Sequence, residues 1–117
     1  MSVRLYAVTF DCSDAAELAD FWSAVLERPV DDAASSDVAS ISVGENLPRW
    51  YFMRVPEGKM VKNRVHADLV TTDLMAEVKR IVDLGATMQE EFDEGGFRWF
   101  TLVDPQGNEF DVMASAE

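Results

Sequence analysis

In the first half of the chain the apolar positions change period in an order that the second half repeats. Val3 to Asp11 is rich in β-formers and reads as a strand, closed by Ser13-Asp14, where a hydroxyl or carboxylate can cap a helix. From Ala15 to Glu27 the residues Leu18, Phe21, Trp22, Val25 and Leu26 recur at helical spacing, and Pro29 ends the pattern. A short strand near Pro29 to Asp31, a polar turn through Ser35-Ser36-Asp37, and strands Val38 to Val43 and Arg49 to Val55 complete this half, bounded by Gly44 and Pro56.

The second half predicts a strand over Arg64 to Thr71, a cap at Thr72 or Asp73, and a helix over Leu74 to Leu84 that stops at Gly85. Strands Thr87 to Glu91, Phe97 to Val103 and Asn108 to Met113 follow, separated by Gly95-Gly96 and by the turn Asp104 to Gly107. Each half therefore reads βαβββ. The caps Asp14 and Asp73 lie 59 residues apart, nearly half the chain, which fits an internal duplication. The likeness of Arg49-Trp50-Tyr51 to Arg98-Trp99-Phe100 carries no weight, because the first falls on the fourth strand of its half and the second on the third. The expected fold is α+β: two tandem βαβββ modules, about 1–56 and 62–117, forming a curved mixed sheet around a cleft within one domain, 1–117. Each module can cover one sheet face with its helix and leave the other to the cleft.

Alternation along the strands singles out candidate chemistry. On an extended segment Arg64, His66 and Asp68 share one face and Val65, Ala67 and Leu69 the other. Near the C-terminus Glu109, Asp111 and Met113 alternate with Phe110 and Val112. Two strands thus present the chain's one histidine together with carboxylates. His66, Asp68 and Asp111 are the candidate catalytic residues, since a carboxylate beside an imidazole favours its charged form and suits it to moving protons near neutrality. The competing reading is a cleft-lining histidine paired with Asp68 or Asp111, with these carboxylates fixing Arg64 or Lys62. Tyr51, Met53 and Trp99 fall on strands where an aromatic wall would suit a flat organic ligand, and core or dimer-interface roles compete for them. Arg64, with Lys59 and Lys62, makes a small basic island, and Glu109 is a further candidate ligand contact. Trp22 reads as helix packing, Cys12 as inert, and Glu90-Glu91-Phe92-Asp93-Glu94 as a solvated turn.

Composition narrows the classes. The chain has 117 residues, 48% of them hydrophobic, enough for one core. Ten basic against twenty-two acidic residues give a net charge of −12, which repels nucleic acid and anionic membrane surfaces. One cysteine, no signal-peptide pattern and no apolar run near the roughly 20 residues that span a bilayer lead to the expectation of a cytoplasmic protein outside the membrane.

The repeated βαβββ order, the His66 strand, Leu84-Gly85-Ala86 after the helix and the closing Asp104-Pro105-Gln106-Gly107-Asn108-Glu109-Phe110 resemble the vicinal oxygen chelate superfamily of glyoxalase I, bleomycin-resistance proteins and extradiol dioxygenases. Val55-Pro56-Glu57-Gly58-Lys59 running into Lys62 to Leu69 is similar to its glyoxalase-like domain proteins. The resemblance implies four metal ligands from the first and last strands of each half. His66 and Asp111 match two of them; Ala7 stands at the third position, and Met53 falls at or beside the fourth. The implied protein binds a small organic metabolite or antibiotic-like compound in a cleft, without a complete metal site or other cofactor, as a homodimer. The alternative is a lyase or isomerase in which His66 and Asp111 transfer a proton, aided by a weakly held divalent metal.

Overall fold

Two aspartates start the two helices. Asp14 accepts a hydrogen bond from the Glu17 N–H and Asp73 from the Ala76 N–H, each satisfying a donor that the first turn would leave unpaired. In the computed structural model, which describes residues 3–115, they open α1 (Ala15–Leu26) and α2 (Leu74–Leu84). Residues 1–2 and 116–117 of the expected 1–117 span lie outside the described residues. The strands are β1 (Ala7–Cys12), β2 (Val38–Ile41), β3 (Arg49–Arg54), β4 (Asp68–Thr71), β5 (Thr87–Glu94), β6 (Phe97–Val103) and β7 (Glu109–Ala114). The chain divides into two compact units, 1–58 and 59–117.

In the first unit the sheet order is β1-β3-β2, with β1 parallel to β3 and β2 antiparallel to it. The strand expected near Pro29 to Asp31 is reduced to one bridge, Val30 to Ile41. Pro29 has no N–H to give a ladder, and the chain turns at Ala33, whose φ is 71°. β1 also starts later than Val3. Its partner β3 begins at Arg49, whose N–H donates to the Tyr6 carbonyl, and Pro48 before it has no N–H to extend the pairing. One face of this sheet packs on α1, where Phe10, Trp22, Trp50 and Phe52 form a cluster with ring centroids 5.1 to 6.4 Å apart.

The second unit has the order β4-β7-β6-β5, again with the module's first and last strands parallel at one side. With the Val30 bridge in place of a strand, both units follow one topology, which fits the duplication read from the helix caps. Along β6 and β7 the buried Phe100, Leu102, Phe110 and Val112 alternate with half-buried Trp99, Thr101, Glu109, Asp111 and Met113. α2 packs on this sheet through β7 and β5, with Leu74, Val78 and Ile81 buried. The residues expected to be a solvated turn, Glu90 to Glu94, continue β5, and a bulge between Met88 and Glu90 shifts its register.

Candidate active site on the second sheet

The parallel register sets Asp68 directly opposite Asp111, and the antiparallel register sets Thr101 opposite Asp111. Residues that face each other across a sheet point to the same side, so these three form a row on the face away from Phe110 and Val112. Continuing the register places His66 opposite Glu109. His66 itself lies just before the strand, because β4 starts at Asp68 and not at Arg64. The reason is that Glu109 is the first residue of β7, so nothing remains for Arg64 to pair with. Val65 is accordingly 76% exposed instead of lining the helix-covered face.

Side chains hold the segment that ladder bonds do not. Lys59 Nζ lies 3.0 Å from Glu109 Oε2, and the Asn63 N–H donates to Glu109 Oε1 at 2.9 Å. The Lys59 stem passes close to Gly107, whose φ of 90° favours glycine. Burial pushes the Glu109 carboxyl up, but the Asn63 N–H and the Lys59 ammonium outweigh it and hold it below the usual range. Lys59 is thus a clasp and not part of a free basic island, and Glu109 positions the approach to His66. A group with a depressed folded value stabilises fully above its unfolded value and loses that contribution as the pH falls through the folded one. Glu109→Gln is therefore expected to cost about 1–2 kcal/mol at neutral pH, with the difference from the parent shrinking below roughly pH 4. Urea unfolding at pH 7 and pH 3 checks it.

The site converges on one imidazole nitrogen. His66 Nδ1 lies 3.1 Å from Asp68 Oδ1 and 3.9 Å from Asp111 Oδ2. Thr101 Oγ1 donates to Asp111 Oδ1 at 2.7 Å, which fixes that carboxylate's rotation and leaves Oδ2 toward the imidazole. When His66 is neutral, an Nδ1–H directed at Asp68 leaves the lone pair on Nε2, where it can accept a proton. Thr101 was not legible as a site residue, since only its register opposite Asp111 brings it in.

One donor atom from each of His66, Asp68 and Asp111 lies within 4.8 Å of the others. Two donors bound to one divalent ion at about 2.1 Å sit roughly 3 to 4 Å apart, and the two separations from His66 Nδ1, 3.1 and 3.9 Å, lie in that range. One nitrogen and two carboxylate oxygens suit manganese, iron or zinc. The resemblance matches His66 and Asp111 to two ligand positions; Asp68 adds a third candidate donor beside them.

Trp99, Met113 and Phe92 lie on the same face one row further on, with the Phe92 and Trp99 rings stacked at 4.8 Å. Arg64 is exposed in the bend before His66 and makes no ion pair among the described residues. Asp68 and Asp111 therefore engage His66 and Thr101, not Arg64 or Lys62. Tyr51 and Met53 belong to the first unit, on the face of its sheet away from α1. There Tyr51 stands opposite Thr9. The 59-residue offset takes Thr9 to Asp68, so Tyr51, and not Met53, occupies the position equivalent to Asp111. Sequence counting missed this by two residues, one full period of a strand.

The comparisons agree with this fold. The sequence profile of the Glyoxalase-like domain family matches residues 7–113. No curated protein matches the chain in sequence. A mutant of the fosfomycin resistance protein FosX from Listeria monocytogenes, complexed with Mn(II) and 1S,2S-dihydroxypropylphosphonic acid, is similar with a TM-score of 0.79 at 15% identity, over 100% of this chain and 94% of that one. A glyoxalase/bleomycin resistance protein/dioxygenase family enzyme from Burkholderia phytofirmans PsJN gives 0.78 at 14%, over 96% and 98%. The bleomycin-binding protein of Streptomyces verticillus, complexed with copper(II)-bleomycin, gives 0.65 at 22%, over 98% and 99%. With the family profile spanning nearly the whole chain and the strand topology of both units in accord, the protein belongs to the glyoxalase-like domain family.

Proposed function

We propose that this chain binds a small organic molecule on the helix-free face of its second sheet, with His66, Asp68 and Asp111 at the ligand's polar end and Trp99 and Met113 against its apolar surface. The observation that carries this reading is the convergence of two carboxylates on His66 Nδ1 beside a stacked aromatic pair. A face built only for packing would not collect three titratable groups around one point. Homodimer assembly, a cytoplasmic location and a ligand contact from Arg64 belong to the same proposal. Among the described residues no helix is long and apolar enough to cross a membrane.

A second reading rests on the three donor atoms within 4.8 Å. His66, Asp68 and Asp111 would hold a divalent ion, which when bound supplies Lewis-acid polarisation of a ligand oxygen. Where no ion is held, a lyase or isomerase form of this reading has His66 Nε2 or Asp111 take a proton from carbon beside a carbonyl. The proton returns to another atom of the same molecule, as in an isomerase, or to the group that departs from the neighbouring carbon with its bonding electrons, as in a lyase. Asp68 holds the imidazole for that transfer, and Thr101 keeps one Asp111 oxygen aimed at it.

One experiment separates the readings: metal content of chelator-treated protein, then melting shifts with manganese, zinc, nickel and iron and with a metabolite panel, for the parent and His66→Ala. A ligand that stabilises the metal-free parent and binds about tenfold or more weakly to His66→Ala supports the binding reading. A stoichiometric ion lost in His66→Ala moves the metal-assisted reading to the front. Ligand binding indifferent to His66, Asp68 and Asp111 alike overturns both.

A further inference from the structure

The first unit carries an independent feature. A shallow depression opens beside the start of β3, and Arg4, Tyr6, Arg28, Ser42, Glu45 and Arg49 line much of it. Three of the chain's ten basic residues gather there, on a protein of net charge −12. Guanidinium groups converging on one hollow repel each other, and an anion between them reverses that cost.

The hollow is built rather than loose. Arg49 Nη1 donates to Asp31 Oδ2 at 2.6 Å, and Asp31 in turn accepts from Ser40 Oγ at 2.7 Å and Ser42 Oγ at 3.3 Å. That bond engages one of five guanidinium N–H donors while fixing the group's plane. Arg28 is pinned at the exit of α1: its N–H donates to the Ser23 carbonyl at 3.1 Å, and its carbonyl accepts from Ser23 Oγ at 2.5 Å. The Tyr6 carbonyl accepts from the Arg49 N–H at 2.9 Å. The Tyr6 hydroxyl lies 3.3 Å from that of Tyr51, and this hydrogen bond pushes the Tyr51 phenol above its usual value. Glu45 is the one carboxylate among the six named lining residues, and Asp31 is already committed to Arg49.

We propose that this depression binds a small molecule through an oxyanion group, a carboxylate or a phosphate, held by Arg4, Arg28 and Arg49 with the Tyr6 hydroxyl as a further donor. Planar guanidinium forks match both groups, and arginine rather than lysine at all three positions fits such recognition. No part of this rests on the His66 site.

The test is an NMR titration of the isotopically labelled full chain with inorganic phosphate and, separately, succinate, at constant ionic strength with sodium chloride as the control. The expected result is saturable movement of amides at 4–6, 28, 44–47 and 49 with at least one of the two anions and not with chloride. Arg28→Gln, whose side chain makes no ion pair among the described residues, should weaken that binding roughly tenfold without lowering the melting temperature. Saturation by phosphate alone or succinate alone names the group preferred. No saturation, equal shifts with chloride, indifference to Arg28→Gln, or binding lost in His66→Ala overturns the proposal.

Discussion

Phe110→Ala is expected to destabilise the chain by about 3–5 kcal/mol, read as a fall in the urea midpoint at unchanged slope. Phe110 is 1% exposed in the middle of the second sheet, opposite Leu102 on β6 and on the face that α2 covers. Its loss removes apolar contact and leaves a cavity that two hydrogen-bonded neighbouring strands cannot collapse to fill. Against a total stability of about 5–15 kcal/mol for an ordinary domain, that is a large share. The next residue gives the contrast. Asp111 points to the other face, half-buried and bonded to Thr101, so Asp111→Asn keeps the shape and should shift the midpoint little while lowering ligand or metal affinity. One step along β7 thus separates what holds the fold from what serves the site.

Asp104→Ala is expected to cost about 2–4 kcal/mol. Asp104 is the charged residue buried in the core among those described, at 4% exposure. Its Oδ1 accepts from the N–H groups of Gln106 and Asn108, and its Oδ2 from Asn108 Nδ2. Alanine would leave those donors facing a space with no acceptor, at the turn that sets the start of β7. Asp104→Asn retains one side-chain oxygen and should lose about half as much. Because β7 begins at Glu109, the alanine variant should also loosen the Lys59 and Asn63 contacts, visible as faster amide exchange at Asn63.

The helices were legible because their signals are local. A capping aspartate, an apolar stripe and a terminating Pro or Gly sit within one short window, and α2 spans the residues that pattern predicts. β6 was equally clear, since two glycines and the Asp104 turn bracket it. Strand ends depend instead on what the partner strand offers. Arg64 lies outside β4 because β7 has no residue to meet it, and Val3 lies outside β1 because Pro48 closes the ladder. Nothing near Arg64 or Val3 in sequence carries that information. The site divides the same way: His66, Asp68 and Asp111 follow from alternation, but Thr101 enters only through cross-strand register. Lys59 was read as free charge because its partner Glu109 lies 50 positions away. Tyr51 and Met53 both stand out as candidate contacts, but the fourth ligand position falls on Met53 by counting, because a two-residue miscount keeps the face and changes the row.

β5 forms one edge of the second sheet and carries Glu90, Glu91, Asp93 and Glu94 in its final residues. An unpaired strand edge is a template on which another chain can polymerise. Here any identical edge that approaches brings a second comb of carboxylates against the first, and at neutral pH the two repel before backbone groups can meet. Arg98 neutralises Glu91 alone, so three of the four charges stay turned outward. The acidic run is therefore a gatekeeper: it lets a long, hydrogen-bond-hungry strand lie at the border of the sheet without recruiting its neighbours into a fibre.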